Sequence, residues 1–598
     1  MPLSLTRTVS IADLVLLAIL AGAVATFGLG YSFGMGNHVE LLPHIERILD
    51  PSFAAGDFSV DASAGGPRQY FARFCALLAG VLPLPAVFLL LTLLQNAGVA
   101  LITALAARRI FPGAPAAPVL AVLPVLALEG PRLGEAGFLR LPTAVAFSVA
   151  MPLALASLWF GLEGRPGRAL AAAIPAALIH PLVGLEIAAL GLASTFFERT
   201  WTALRGRTGG KRPGSAAREA AGSLLALAGL ASFAGLAWFR GQPPRALTTE
   251  AFIGIYARFR APHHLWPAAF PPADWIVAAA FLAATVYLAR RWRHREPGSP
   301  VLASRIMVGL GLVVFAMAAG WFFVQAVPIR LVAILQLFRL MAVLKWFGFI
   351  LLAGAVAGLA RKPNAASRFR LPLALALGSV AILAASSLGR MGEVSLPSRQ
   401  QGLTLAGLGL VAAAWLGLRE AGFRRLASAA VVAVSAGLIA LIVLPEGSRF
   451  PVAGRLLART RPVYTLEQGR QREDAAARFC RDSLPPGATL VVPPLLGRIR
   501  LVSRRALLAD FKFMPTTDAA LAEWRRRLEE AYGPSTESGF AAAREMDRGY
   551  RIIGEDRLHR LRERYGVGYA VLYAETPCRD PEIYRDRFYK VIKIAGGL

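Results

Sequence analysis

The chain has 598 residues, of which 56% are hydrophobic and only 17% are charged, and its mean hydropathy is +0.52. These values exclude an ordinary soluble globular protein and indicate an integral membrane protein. The formal net charge of +28 does not indicate a nucleic-acid partner, because much of the excess of arginine and lysine lies in short loops between apolar runs, which is the positive-inside pattern of membrane proteins.

The first predicted membrane span covers residues 12–30. We interpret it as a retained helix and not as a cleaved signal peptide, because an acidic loop follows at once. This first loop, residues 31–83, contains five carboxylates in a protein whose other loops are dominated by arginine: Glu40, Glu46, Asp50, Asp57 and Asp61. Its segment HVELLPHIERIL predicts an amphipathic helix that lies along the membrane interface, with one side formed by Val39, Leu42, Ile45 and Leu49.

Ten further spans are predicted in chain order, at residues 84–107, 115–129, 140–162, 220–239, 273–290, 303–326, 341–360, 371–388, 403–418 and 425–444. The N-terminus is placed in the cytoplasm, because the loops on that side then carry arginine-rich segments such as RRWRHRE and RKPNAASRFR. The segments that face outside are then the first loop, the turn 129–140, the loop 240–272, the region 327–339 and everything after residue 444.

One apolar segment, residues 169–196, disturbs this alternation because basic loops flank both of its ends. Pro175 and the pair His180-Pro181 interrupt the segment, and proline ends helices. We therefore predict a re-entrant hairpin of two short helices, since broken backbone at membrane depth is tolerated where protein or a cavity covers it. The alternative is a single kinked span with one basic loop on the wrong side.

The composition changes near residue 445, where charge rises and short alternating patterns replace the apolar runs. REDAAARFCRDSL and TDAALAEWRRRLEEAYG predict helices, the second capped by Thr517 or Asp518. ATLVVPP, YAVLYA and YKVIKI predict strands. The predicted fold is therefore an α-helical multi-pass membrane domain, residues 1–444, with about eleven full spans and a re-entrant hairpin, followed by a small extracytoplasmic α/β domain, residues 445–598.

The three cysteines do not predict a metal site. Cys75, Cys480 and Cys578 lack the spacing of zinc or iron–sulfur ligands. Cys480 and Cys578 both lie in the domain placed outside the cytoplasm, where a disulfide persists. The sequence leaves a bridge between them open, because free cysteine is also a common small buried residue.

The predicted outer face combines carboxylates near the membrane with arginines from distant loops, which suits a glycosyltransferase. Activation of an acceptor hydroxyl requires a carboxylate base, and a departing lipid phosphate requires cations. Glu40 is the candidate base, and Glu129 or Glu135 is the supporting acid. Arg330 and Arg339 are candidate substrate ligands, with Arg339 as the phosphate clamp.

Four further polar residues are candidate substrate ligands: Asn37, His180, His263 and His264. His180 serves equally well to bind a carbonyl that the helix break sets free. The pair His263-His264 has no third ligand at metal spacing, so contact with a lipid head group or a substrate phosphate is favoured over zinc. The cofactor is unknown: a divalent cation is compatible with this chemistry, but no residue pattern indicates one.

These features together resemble the GT-C fold of membrane glycosyltransferases. The shared features are an acidic residue after the first helix, an amphipathic helix in a long first outer loop, a second acidic turn before the fourth helix, many spans and a C-terminal outer domain. The segments GNHVELLPHIERILDPSFAAGDF, RAPHH and VVPPLLGRIRLVSRRALLADFK are also similar to an uncharacterised bacterial multi-pass family that is GT-C-like. GT-C enzymes usually carry an Asp-Glu or DxD-like pair, whereas this chain has Asn37-His38-Val39-Glu40 at the matching position.

The resemblance implies a multi-pass protein of the bacterial inner membrane that takes a sugar from a polyprenyl-phosphate donor on the outer face. Its partners are then the lipid-linked sugar and membrane lipid, without nucleic acid, and the oligomeric state is open. A lipid or glycan transporter or flippase is an alternative, because broken helices mark many transporter sites. The predicted spans contain few ionisable residues, namely Asp13, Glu186 and Lys345, and this scarcity argues against transport. A non-catalytic envelope scaffold is the third function left open.

Overall fold

The computed structural model describes residues 9–134, 137–204, 215–239, 245–295, 300–359, 375, 377, 399–420, 424–443, 463–468 and 471–595. Within these ranges the protein is mostly helical, and a small sheet lies near the C-terminus. Seven helices in the described ranges are long and apolar enough to cross a membrane: Ile11–Gly28, Leu84–Ile110, Pro181–Leu204, Ala217–Ala237, Pro272–His294, Pro300–Ala326 and Arg330–Gly358. These findings confirm a mostly helical protein with several candidate membrane-spanning helices and a small C-terminal sheet, while the total of eleven spans stays a prediction.

The helices before the sheet are numbered α1–α18. They are α1 Ile11–Gly28, α2 His38–Leu49, α3 Phe58–Ala62, α4 Gln69–Ala79, α5 Leu84–Ile110, α6 Ala117–Ala127, α7 Ala146–Leu162, α8 Pro166–Ile179, α9 Pro181–Leu204, α10 Ser215–Ala234, α11 Thr249–Ile253, α12 Pro262–Leu265, α13 Pro272–Arg295, α14 Pro300–Trp321, α15 Arg330–Leu335, α16 Met341–Leu359, α17 Arg399–Glu420 and α18 Arg424–Val443. Short π-helical turns cover Gly235–Phe239, Gly254–Arg260 and Phe322–Ala326, and 3₁₀ turns cover Pro267–Ala269 and Leu337–Leu340.

Two predicted spans correspond to helices that are shorter than expected. The span predicted at 115–129 contains the eleven-residue α6, which at 1.5 Å per residue is about 17 Å long. The span predicted at 140–162 begins only with α7, since Pro142 disfavours helical backbone at the residue before it. The span predicted at 371–388 lies outside the described residues, apart from two single positions.

Helices α8 and α9 form the predicted helical hairpin. His180 separates them, and Gly184 of α9 lies so close to Ala177 of α8 that an added Cβ would come within 2.2 Å of its backbone nitrogen. Further along the two helices, opposite residues share small apolar clusters: Ala173 with Ala188, and Ala169 with Leu192. The second helix is longer than predicted, because its 24 residues make it one of the seven candidate spans. The fold-back is confirmed, and the depth of the hairpin in the membrane stays a prediction.

The amphipathic helix predicted in the first loop is α2. Its apolar face packs against other helices of the protein, which corrects the prediction that this face lies along the membrane interface. Helix α4 packs against α2, and three of the four apolar residues share a core with Phe71 of α4 and Phe88 of α5: Val39, Leu42 and Ile45. Leu49 is 44% exposed because the helix ends there. The first loop is therefore a packed element of the fold.

The C-terminal unit consists of helices α19–α23 and strands β1–β5. The helices are Asp474–Ser483, Arg498–Ser503, Asp518–Tyr532, Gly539–Tyr550 and Glu555–Tyr565, and the strands are Thr489–Val491, Ala506–Leu507, Tyr569–Tyr573, Glu582–Arg585 and Tyr589–Lys593. The strand order is β2-β1-β3-β5-β4, with β1 parallel to β2 and β3, and with β5 antiparallel to β3 and β4. Helices cover both faces of this sheet: Val571 of β3 packs with α19, whereas its neighbours Ala570 and Leu572 pack with α21–α23.

The five elements predicted for this unit are present as α19, α21, β1, β3 and β5. Helix α21 begins directly after Thr517, although that side chain makes no capping hydrogen bond. Five further elements of this unit were not predicted from the sequence: α20, α22, α23, β2 and β4. Cys480 and Cys578 are both free thiols, so the bridge that the sequence left open does not form.

Candidate functional site

A cavity of about 130 Å³ lies where four distant parts of the chain meet. Its polar lining comes from the first loop, the tip of the α8–α9 hairpin, helix α12 and the turn before α16: Asn37, Arg68, His180, His264 and Arg339. Apolar residues at and before the start of α7 close another wall, among them Leu141, Val145 and Phe147. Four of the five polar residues are among those expected from the sequence to bind substrate, and the fold brings them together.

Arg68, which was not predicted from the sequence as a site residue, links the cavity to Glu40. Arg68 immediately precedes α4, and its Nη1 donates to Glu40 Oε2 at 3.1 Å. Glu40 Oε1 also lies 3.9 Å from Arg260 Nη2, and the Glu40 side chain is only 15% exposed. Glu40 therefore does not line the cavity but stands behind Arg68.

The Glu40 carboxylate is ionised in this environment. Burial raises its pKa, but the charges of Arg68, Arg260 and Lys512 outweigh burial and hold the pKa below its usual value. An ionised carboxylate is the form that a general base needs. The same cations weaken its basicity, so a ligand that drew Arg68 away from Glu40 would make Glu40 a stronger base.

His180 and Arg339 bring two donors to the cavity. The backbone N–H of Val183 donates to His180 Nδ1 at 3.3 Å, so the neutral ring carries its proton on Nε2. That Nε2 lies 3.4 Å from Arg339 Nη1, and a guanidinium nitrogen only donates. In this tautomer neither group accepts from the other, so an anionic oxygen between them would accept from both.

A bend between α15 and α16 positions Arg339. Gln336 adopts a left-handed conformation with φ of 54°, and the 3₁₀ turn that follows leads into α16. Gln336 Nε2 donates to the Tyr256 hydroxyl at 2.5 Å, which holds the bend against the segment before α12. The guanidinium of Arg339 then lies 5.5 Å from the ring centroid of Phe147.

Two of the predicted basic residues lie away from the cavity lining. Arg330 forms an ion pair with Asp518 of α21, and its guanidinium lies 4.0 Å from the centroid of the Phe252 ring. Arg330 therefore joins the membrane part to the C-terminal unit. His263 packs against the ring of its neighbour His264, at a centroid distance of 4.2 Å, but does not itself line the cavity.

The predicted supporting acids are not brought to the cavity. Glu129 is absent from the lining, and its backbone carbonyl accepts a hydrogen bond from Lys345 Nζ. Glu135 lies outside the described residues. Glu40 is thus the only one of the three predicted catalytic carboxylates that the described structure places next to the cavity.

The other carboxylates of the first loop explain why that loop is acidic. Glu46 and Asp50 pair with Arg504, and Asp57 pairs with Arg500, so three of them bind arginines around α20. The segment 463–468, which precedes the C-terminal unit, adds a backbone contact, because Phe33 N–H donates to the Val463 carbonyl at 2.8 Å. We call these contacts between the first loop and the C-terminal unit the docking interface.

A buried triad forms the centre of the docking interface. Arg500 is fully buried, with Asp57 Oδ2 at 2.6 Å from its Nε and Asp510 Oδ2 at 2.9 Å from its Nη1. Asp57 Oδ1 also accepts from Val60 N–H at 3.1 Å and thereby caps α3. Its Oδ2 accepts from Leu507 N–H at 2.8 Å, which ties the first loop to β2.

His38 has a structural role that was not predicted from the sequence. Its Nδ1 accepts from Gly34 N–H at 3.0 Å, so its Nε2 carries the proton and donates to the Ala144 carbonyl at 2.9 Å. Burial lowers the pKa of His38 to about 4, with a smaller opposing effect of the Ala144 carbonyl and a further lowering by Lys512. The neutral ring fixes α2, and therefore Asn37 and Glu40, against the chain that enters α7.

No metal centre is found in the ranges that the structure describes, where no group of three or more His, Cys, Asp or Glu side chains could hold an ion. A family model described as a domain of unknown function (DUF6798) matches residues 471–531. A search of the curated proteins gave no match. The matched segment runs from α19 to the last turn of α21 and contains Arg500, Arg504, Asp510, Lys512 and Asp518, so it includes much of the C-terminal unit's side of the docking interface.

Proposed function

We propose that the protein is a glycosyltransferase-like enzyme of the bacterial inner membrane. It transfers a sugar from a polyprenyl-phosphate donor to an envelope acceptor on the outer face, where the C-terminal unit also lies. The observation that supports this proposal is the convergence of Arg68, His180 and Arg339 on one cavity. Arginine forks suit phosphate oxygens, and a cavity with N–H donors from three segments suits a phosphate held in one orientation.

In the proposed reaction, the acceptor hydroxyl oxygen attacks the anomeric carbon of the donor sugar. The bond from that carbon to the phosphate oxygen breaks, and the lipid phosphate leaves with the bonding electrons. Arg68, Arg339 and the His180 Nε2–H stabilise the charge that develops on this phosphate. Glu40 accepts the hydroxyl proton, and its basicity rises as Arg68 turns from Glu40 to the phosphate. Asn37 and His264 complete the polar lining on the side of the sugar.

Glu40→Gln tests this proposal, since it removes the base with little change of shape. The purified protein is reconstituted in vesicles with a series of polyprenyl-phosphate donors that carry different radiolabelled sugars, and envelope extract supplies the acceptors. We expect transfer of label by the wild type and its loss by at least about a hundredfold in Glu40→Gln. Arg258→Met is the matched control, because this exposed arginine lies two residues before Arg260 and outside the cavity. Undiminished transfer by Glu40→Gln would exclude Glu40 as the base.

A transporter or flippase is the second candidate, and the interruption between α8 and α9 at the cavity supports it. Transport predicts that vesicles with the wild type move a fluorescent polyprenyl-phosphate lipid between leaflets without hydrolysis or transfer. Movement of the lipid without any transfer of sugar would favour transport. Binding of donor with neither activity would favour the envelope scaffold.

A further inference from the structure

A second, open hollow of about 400 Å³ lies against helix α22 of the C-terminal unit. It is lined by Glu537, Ala541, Arg544, Asp547 and Arg548. Ala541, Arg544 and Arg548 follow one another at intervals of three and four residues, so they lie on one face of the helix. Within the described part of the chain, Ala541 is the only apolar residue of this lining, so the hollow suits a polar ligand and gives no anchor to a lipid tail or an apolar peptide side chain.

The hollow begins next to helix α12, which contributes His264 to the candidate site. The ring of Phe540, at the start of α22, lies 5.3 Å from the ring of His263 between centroids, so the two helices are in contact. Ala541 follows directly, and Arg548 lies about 10 Å further along the helix axis. The charged lining thus leads from the edge of the membrane part along the C-terminal unit.

Arg544 and Arg548 are both exposed, and neither forms an ion pair with any residue that the structure describes. The glutamate of the same helix that follows Arg544 does not neutralise them, because other groups occupy it. Glu545 Oε2 accepts from the Ser535 hydroxyl at 2.5 Å and from the Glu537 N–H at 3.3 Å. The helix therefore presents two guanidinium groups, about 6 Å apart along its axis, without a carboxylate partner.

Asp547, the carboxylate between these two arginines, is occupied as well. Its Oδ1 accepts from the Tyr573 hydroxyl at 2.6 Å, and its Oδ2 lies 3.5 Å from Arg551 Nε. The arginines of the preceding helix α21 differ, since residues 525–527 each pair with a glutamate of that helix. The pairing of arginines within this unit is thus interrupted at the hollow, where an anionic ligand would complete it.

We infer that the hollow along α22 binds an anionic glycan, and that this glycan is the acceptor in the proposed reaction. Arg544 and Arg548 bind carboxylate or phosphate groups of the glycan through their planar forks. Glu537, at the end of the hollow near α12, accepts a hydrogen bond from a sugar hydroxyl. The acceptor role rests on the proposed function, whereas binding of the glycan does not. The contact between α22 and α12 then places the bound glycan beside the element that carries His264.

The test measures binding of two fluorescent anionic oligosaccharides, an oligogalacturonate and a phosphomannan oligosaccharide, to the full-length protein in detergent by microscale thermophoresis. The Arg544→Gln/Arg548→Gln double variant removes both guanidinium groups. Arg560→Gln/Arg564→Gln is the matched control, because these two arginines are exposed at the same spacing on α23, outside the hollow, and its loss of charge is the same. We expect about tenfold weaker binding of at least one oligosaccharide in the first double variant and less than about twofold in the control.

Three results would overturn this inference. Equal weakening in the two double variants would mean that binding follows net charge alone. Failure of the wild type to bind either oligosaccharide would exclude a glycan site. Tighter binding of poly-glutamate or of dihexanoyl-phosphatidylglycerol than of both oligosaccharides would identify an acidic peptide or a lipid head group as the partner.

Affinity for polyprenyl phosphate, measured in the same way, separates this inference from the proposed function. It should be unchanged in Arg544→Gln/Arg548→Gln and reduced in Arg339→Met, whereas oligosaccharide binding should be unchanged in Arg339→Met. If the wild type binds the oligosaccharide but transfers no sugar from any donor, the acceptor role fails together with the proposed function and the glycan site stands. If it transfers sugar without binding either oligosaccharide, the glycan site fails and the proposed function stands.

Discussion

Two clusters of arginine and carboxylate side chains lie close together in this protein, and their charge balance differs. In the docking interface, Arg500 lies between Asp57 and Asp510, and all three side chains are fully buried. Around the cavity, among the described residues, the charges of Arg68, Arg260 and Lys512 act on Glu40, and the charge of Glu186 acts on Arg339, so that four cations stand against two carboxylates. One cluster is closed by protein groups, whereas the other has cations in excess and an open volume beside them.

This difference separates a structural role from a binding role. A buried arginine enclosed by two carboxylates leaves no place for a ligand, and its main effect is to hold two parts of the chain together. Excess cations beside a cavity remain costly until an anion enters. Both clusters use the acidic first loop, so that loop serves docking through Asp57 and the cavity through Glu40.

The largest expected effect comes from opening the buried triad. Arg500→Met leaves Asp57 and Asp510 buried without their cation, which should destabilise the protein by about 3–5 kcal/mol. Arg504→Met is the matched control, because Arg504 pairs with Asp50 and Glu46 of the same loop but is 36% exposed. Exposed pairs contribute about 0–1 kcal/mol. Thermal unfolding in detergent measures both, and equal losses in the two variants would show that burial does not distinguish these pairs.

Local signals were sufficient to predict part of the site. The prolines around His180 predicted the hairpin, and Glu40 and Arg339 were selected because they lie at the ends of apolar segments. Arg68 was not found, because its hydrogen bond to Glu40 joins residues 28 positions apart without any shared pattern. The same cause led to the prediction of Arg330 as a substrate ligand: its partner Asp518 lies 188 positions further on, and no local signal reveals this pair.

The fold was predictable to a similar degree. Long apolar runs and alternating strands gave the membrane helices and the strands β1, β3 and β5, since these signals depend on periodicity. Strand β2, with two residues, and the charged helix α23 have weak patterns of their own and are fixed by packing on the sheet. The docking interface depends on pairs of distant charges, which a single sequence does not reveal.

The next effect concerns the cavity and should leave stability almost unchanged. Arg339→Met removes a guanidinium that faces the ligand space, and hydrogen bonds to charged groups contribute about 1.5–3 kcal/mol, which corresponds to roughly 10- to 150-fold in affinity for polyprenyl phosphate. Arg339→Lys keeps the charge but loses the planar fork, so we expect an intermediate affinity. Arg258→Met should bind as the wild type does. If Arg339→Met unfolds as readily as Arg500→Met, the division between a structural and a binding cluster is wrong.

A separate effect is a dependence of stability on pH that arises from His38, the residue that holds α2 against the start of α7. Its folded pKa is about 4, whereas the unfolded value is about 6.5, so the unfolded chain binds more protons between these limits. The contribution of His38 to the free energy of unfolding should therefore be fully present above pH 6.5 and be lost as the pH decreases towards 4. The expected slope approaches about 1.4 kcal/mol per pH unit for this residue. His44, whose pKa burial and the charges of Arg68 and Arg500 also lower to about 4, adds a slope of the same sign.

His38→Gln isolates the contribution of His38, because an amide can accept from Gly34 N–H and donate to the Ala144 carbonyl without titrating. Unfolding midpoints of the wild type and of His38→Gln are measured at pH 7, 6 and 5. The two midpoints should approach each other as the pH falls, because the wild type loses more stability on acidification than His38→Gln does. The lost stability concerns the first loop, so protease cleavage between residues 31 and 83 should increase in the wild type at pH 5 and increase less in the variant. Parallel pH profiles would mean that the protonation of His38 is not linked to folding, and that the ring does not hold α2 in the way its two hydrogen bonds indicate.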